Sequence, residues 1–137
     1  MAARPDCILE GTIIRPKTVV TTAVAKGRVV SWNTSDSQGV HTAAAAAGDG
    51  IALEAGNVGD SIPVVPLAGN KGVVPVLVGT GGATRGQAAV VVADGVTNSG
   101  TLGAGTVLKN IVGYFTQSGV AGDWVGLALE KSASVSA

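Results

Sequence analysis

Short apolar runs rich in valine, isoleucine and threonine, cut at close intervals by glycine, make up most of this chain. Runs at 18–24, 28–32, 61–67, 72–78, 87–93, 111–116 and 123–129 have the length and β-branched content of strands. The 21 glycines are spread along the whole sequence, where they break any long helix and serve turns and bulges. One helical candidate exists, the alanine run 43–47, but it is too short to hold a helix alone and has no amphipathic face. It predicts a single turn at most. The pattern therefore predicts an all-β fold, a small barrel or sandwich.

An internal repeat sharpens that expectation. Residues 54–62, Glu-Ala-Gly-Asn-Val-Gly-Asp-Ser-Ile, align with 117–125, Gln-Ser-Gly-Val-Ala-Gly-Asp-Trp-Val, sharing both glycines, the aspartate and the apolar position after it. Upstream, Lys26-Gly27-Arg28 falls on Arg85-Gly86-Gln87. Two copies are too few for a solenoid, so they predict one compact pseudo-symmetric body or a pair of packed lobes. The expected organisation is an N-terminal arm, 1–17, followed by a single β domain, 18–137, with related units at about 24–67 and 84–130. Gly59-Asp60 and Gly122-Asp123 are expected as structural turns, because glycine supplies positive φ and aspartate bonds the backbone ahead of it.

Composition narrows the function. Nine basic and nine acidic residues leave no formal net charge, which removes the attraction that dominates nucleic-acid affinity. Charged residues are only 13% of the chain, about half the usual share, so a weakly self-repelling surface that favours association is expected. The single cysteine, Cys7, forms no internal disulfide and with one histidine makes no Cys/His zinc site, so neither a metal nor a cofactor is expected. No apolar stretch reaches transmembrane length and none resembles a signal peptide, which points to synthesis in a cytoplasm and no membrane partner.

Catalytic chemistry is not expected. His41 is the one residue whose type can serve as a base near neutral pH, and no serine or cysteine motif accompanies it. The stretch 79–86, Gly-Thr-Gly-Gly-Ala-Thr-Arg-Gly, lacks both the dinucleotide spacing and the Lys-Ser or Lys-Thr ending of a phosphate loop, and reads as a flexible connection between the repeats. Trp32 and Trp124 are expected to plug the ends of an aliphatic core. Residues 1–17 carry Ile8, Leu9, Ile13 and Ile14, which a free tail has no reason to expose, followed by Arg15-Pro16-Lys17. They predict an anchoring arm whose two cations face carboxylates of a partner; the alternative is a first strand of the protein's own barrel.

Residues 24–32, Val-Ala-Lys-Gly-Arg-Val-Val-Ser-Trp, then 50–56, Gly-Ile-Ala-Leu-Glu-Ala-Gly, and 59–64, Gly-Asp-Ser-Ile-Pro-Val, resemble the decoration or cement proteins of tailed-phage capsids. The closing stretch 122–129 looks like the same element again, a duplication that departs from the simplest members. The resemblance implies a non-enzymatic structural protein on the outer surface of a virion head, bridging major capsid protein subunits as a homo-oligomer, a trimer in preference to a dimer. The competing reading is a non-catalytic glycan- or receptor-binding module of a phage fibre or adhesin.

Overall fold

The computed structural model describes residues 13–35, 38–44, 48–68, 70–99 and 111–132. Its strands are β1 (Arg15–Val19), β2 (Val29–Trp32), β3 (Gly39–Thr42), β4 (Gly50–Ala52), β5 (Ser61–Pro66), β6 (Val73–Leu77), β7 (Ala88–Val91), β8 (Thr97–Ser99), β9 (Ile111–Phe115) and β10 (Trp124–Ser132). A 3-10 turn at Ala93–Gly95 is the one helical element among the described residues. Of the alanine run, Ala43 and Ala44 are not helical and 45–47 lie outside the described residues.

The first five strands close into a barrel in the order β1-β3-β2-β4-β5, with β1 parallel to β3 and every other pair antiparallel. The second five form a sheet in the order β6-β10-β9-β7-β8, and a parallel bridge, Val78↔Thr97, joins its two edges. Adding five to each strand number of the first circuit reproduces the second. The chain is therefore two copies of one barrel, as the aligned Gly-Asp segments require.

The turns repeat bond for bond. Val24 and Gly56 exchange N–H···O bonds of 2.9 and 3.0 Å, and Ala83 and Gly119 exchange bonds of 2.9 and 3.1 Å. Asp60 N donates to Asn57 O at 2.9 Å while Asp60 Oδ2 accepts from Asn57 N at 2.9 Å; Asp123 makes the same two bonds with Val120, both at 3.0 Å. The carboxylate thus reaches back to the first residue of its turn, not ahead. Gly59 and Gly122 sit third in these turns with φ of 95° and 88°, a conformation that side chains resist.

Several boundaries differ from the sequence expectation. The duplicated unit starts at β1 and β6, so Arg15, Pro16 and Lys17 are barrel residues and not the end of an arm. Pro16 is tolerated because it faces Pro63 across β1 and β5, and two residues without N–H groups fit opposite one another where the ladder needs no bond. The glycine-rich stretch 79–86 is not the connection between units. It is the β6–β7 loop, equivalent to 20–27, and a Cβ at Gly79 or Gly81 would come within 2.4 or 2.5 Å of the Asn98 side chain. The connection runs instead through 67–72.

Alternation along the strands feeds two cores. Val19, Val24, Val30, Val40, Ala52, Ile62 and Val64 fill the first barrel, with Trp32 packed against them. Their neighbours Val29, Ile51 and Val65 point out of that barrel and join a larger cluster with Val74, Val76, Val91, Val112, Phe115, Val125 and Leu127 of the second unit. Strands β2, β4 and β5 are therefore buried on both faces at these positions, and period-2 alternation gives way to continuous apolar runs. This internal burial accounts for much of the low charge. Inside the second barrel Phe115 occupies the position of Ala52, while Ala83 and Ala89 replace Val24 and Val30. One large side chain is balanced by smaller ones, as a core of fixed volume demands.

The two tryptophans differ. Trp32 closes the first barrel as expected, but Trp124 remains 37% exposed. Its ring lies on Gly27 of the first unit, where a Cβ would meet Cζ3 at 2.0 Å, and Leu77 N donates to Gly27 O at 3.3 Å beside it. Trp124 thus joins the units and does not plug an end.

Candidate docking surface

The residues expected to anchor the chain fall into three groups. Ile8 and Leu9 lie outside the described residues. Ile13 and Ile14, at 52% and 44% exposure, directly precede β1. Arg15 opens β1 and is exposed. Alternation puts it on the same face as Lys17 and Val19, the inner face of the barrel, but only Lys17 and Val19 are buried there, so Lys17 does not reach the surface with Arg15. Its side chain is buried, with Nζ 4.6 Å from the centroid of the Trp32 ring. There the ammonium meets the negative face of the indole and the stem packs on the core. Of the two cations expected to face a partner, only Arg15 is on the surface.

A residue that the pattern did not single out fixes where the N-terminal segment leaves the barrel. Asn70, buried in the connection between units, accepts from Ile13 N at 2.9 Å through Oδ1. Its Nδ2 donates to Ile13 O at 3.3 Å and to Pro66 O at 2.6 Å. The amide imitates a neighbouring strand, pairing with both backbone groups of Ile13. An asparagine in a Gly-Asn-Lys-Gly loop looks like ordinary turn chemistry, so only the fold reveals this role.

Other apolar groups are exposed at the turn tips, Val58 at 58% and Val120 at 68%. Beside the first tip is a groove of about 400 Å³ lined by Ala23, Val24, Ala55, Gly56, Asn57 and Asp60. A second cleft, of about 380 Å³, lies between the two units. Gly59, Asp60, Gly122 and Asp123 serve as turn formers with the bonds given above.

No cluster of three or more His, Cys, Asp or Glu side chains able to hold a metal ion occurs among the described residues. His41 stands opposite Ser31 across β3 and β2, and its buried Nδ1 has no hydrogen-bond partner. No helix among the described residues is long and apolar enough to cross a membrane.

No family model matches the chain, and no curated protein does. Among solved structures, the chain is similar to the head fiber gp8.5 N base in bacteriophage phi29, with a TM-score of 0.64. The likeness covers 87% of this chain and 94% of that one at 19% identity. It shows that the fold is shared.

Proposed function

We propose that this protein is a structural component of a phage head: a decoration protein that binds the outer capsid surface and stabilises it by bridging major capsid protein subunits. The observation that carries the reading is the two-barrel fold, shared over nearly its full length with a head fiber base. The exposed side chains suit such a role. Ile13 and Ile14 form an apolar step at the foot of β1, and Asn70 pins the backbone of Ile13 there. Residues 1–14 act as the anchor, with Arg15 offering a cation at its base. The chain acts as a homo-oligomer, a trimer in preference to a dimer. Repetition over many sites supplies avidity, so each copy binds weakly and still occupies the surface.

A second reading is favoured by the same likeness, because that neighbour is the base of a fiber. In it, the chain is the head-proximal module of a fibre that recognises a glycan or receptor. Co-sedimentation of the purified protein with expanded heads tests both, with light scattering reporting the oligomer. Binding of the full chain, and its loss from a still cooperatively folded variant lacking residues 1–14, is the expected result. Failure to sediment with heads at saturating concentration would overturn the docking reading. Full occupancy by the truncated chain would overturn the anchor, and a monomer in solution and on heads would overturn the oligomer.

A further inference from the structure

The cleft between the units is walled by Thr22, Ala23, Ala25, Arg28 and Thr42 of the first barrel and by Asp94 of the second. Its shape is held under strain from both sides. Thr21 and Asp94 have φ of 72° and 62°, and they are the non-glycine residues with positive φ among those described. Thr22 N donates to Val20 O at 2.8 Å, closing a tight three-residue turn on a β-branched residue that disfavours it. At the equivalent point the second barrel uses Gly79-Thr80-Gly81-Gly82 and a wider turn, Gly82 N to Gly79 O at 3.0 Å. Across the cleft, Gly95 comes so close to β2 that a Cβ there would lie 2.5 Å from Val29 O, which fixes Asp94 beside it. Strain of this kind persists where the surroundings over-determine a conformation, and it gathers at ligand clamps.

The polar groups in the cleft are incompletely used. Arg28 is half-buried, and Nη1 donates to the main-chain oxygen of Asp94 at 2.8 Å. Its Nε is buried without a partner. A guanidinium carries five N–H donors in a rigid fork, and the one bond to Asp94 leaves hydrogens of the two Nη groups able to take a planar acceptor, with the buried Nε–H a reporter beside them. The Asp94 carboxylate is not that acceptor, since the bond goes to its carbonyl. Exposed on the same cleft, the Asp94 carboxylate offsets the charge of Arg28, so net charge attracts no anion and a dianion, costlier to desolvate, is disfavoured; a monoanion there is held by the hydrogen bonds of the fork.

We propose that this inter-unit cleft binds a carboxylate, that of an aspartate or glutamate side chain on a partner protein, with Arg28 as the receiving cation and the Thr22 and Thr42 hydroxyls as further donors. Only the partner's identity rests on the docking reading above. The test uses no heads, so the two fail separately.

The probe is N-acetylglutamate α-amide, titrated into the ¹⁵N-labelled full chain at constant ionic strength while the Arg28 Nε–H resonance is followed. A saturable shift with a Kd of roughly 1–20 mM is expected, as befits one bidentate pair. N-acetylglutamine α-amide and inorganic phosphate should give none. Arg28→Lys should weaken binding at least about tenfold, because an ammonium lacks the fork. Asp94→Asn keeps the carbonyl that holds Arg28 and tolerates the same backbone conformation, so it should fold normally. It should tighten carboxylate binding about two- to fivefold and admit phosphate. A non-saturable shift, an equal response to phosphate in the unmodified chain, or unchanged binding in Asp94→Asn overturns the proposal.

Discussion

Gly27 and Gly86 occupy the same turn in the two units, with φ of 75° and 81°, yet their surroundings differ completely. A Cβ at Gly86 meets nothing within 4 Å, whereas at Gly27 it falls 2.0 Å from Cζ3 and 2.7 Å from Cη2 of Trp124. Replacing each by alanine therefore separates backbone strain from inter-unit packing. Positive φ costs alanine about 1–2 kcal/mol, offset by about 0.4–1 kcal/mol from the stiffer unfolded chain. Gly86→Ala should thus lose about 1 kcal/mol. Gly27→Ala loses that and more, because carbon atoms prefer about 3.5–4 Å and the rigid ring must retreat by roughly 1.5 Å. Overpacking of this kind costs about 1–3 kcal/mol, so the total should be about 2–4 kcal/mol. Urea unfolding followed by far-ultraviolet circular dichroism reads both values, provided the slope with denaturant is unchanged. Repeating the pair in a Trp124→Ala background completes the cycle, and there the two alanine variants should cost the same. Equal losses in the parent, or a gap that survives removal of Trp124, would refute the account of how the units are joined.

Phe115→Ala should destabilise by about 3–5 kcal/mol, since it empties the centre of the second barrel. Adding Ala83→Val and Ala89→Val, the residues of the first barrel, should recover part of that loss in thermal denaturation; no recovery would mean the two interiors are not exchangeable. Asp60→Ala and Asp123→Ala should each cost about 0.5–2 kcal/mol and their effects should add, because each carboxylate holds a separate turn. Lys17→Ala should lower the melting temperature and shift Trp32 fluorescence, whereas a variant indistinguishable from the parent on both counts would deny the buried contact.

The repeat and its turns were legible because their requirements are local. Glycine at positive φ and an aspartate closing on its own turn leave the same mark wherever the unit recurs, and Gly59-Asp60 and Gly122-Asp123 carry it. Strands β2, β5, β6, β7, β9 and β10 were visible as valine-rich runs. Strands β3 and β8 were not, for they are short and carry His41, Thr42, Thr97 and Asn98 among few aliphatics. What makes them strands is pairing with distant partners, parallel to the chain at β1 and β6, and no local preference announces that. Lys17 misled for a related reason. Its charge signals surface, and only the alternation through Val19 and the Trp32 ring facing it place it inside. The Arg28 cleft was likewise hidden, since its walls come from both copies. Sequence similarity between the units marks what they share, while the cleft arises where they meet.

The two barrels are hoops of unequal closure. In the first, Thr18↔Gly39 and Val19↔Val40 join β1 to β3, and Val20 N adds a bond of 2.9 Å to Val40 O. Among the described residues the second is shut by the single bridge Val78↔Thr97, clasped by Gly79 N to Thr97 O at 2.9 Å and Thr97 Oγ1 to Leu77 O at 3.4 Å. A hoop opens at its clasp. The Gly79 amide should accordingly exchange with solvent deuterium faster than its counterpart at Val20, reporting a partial opening that leaves the first hoop shut. Under tension the same asymmetry sets an order of failure, with the second hoop unfastening first along the β6–β8 edge while the first keeps its grip.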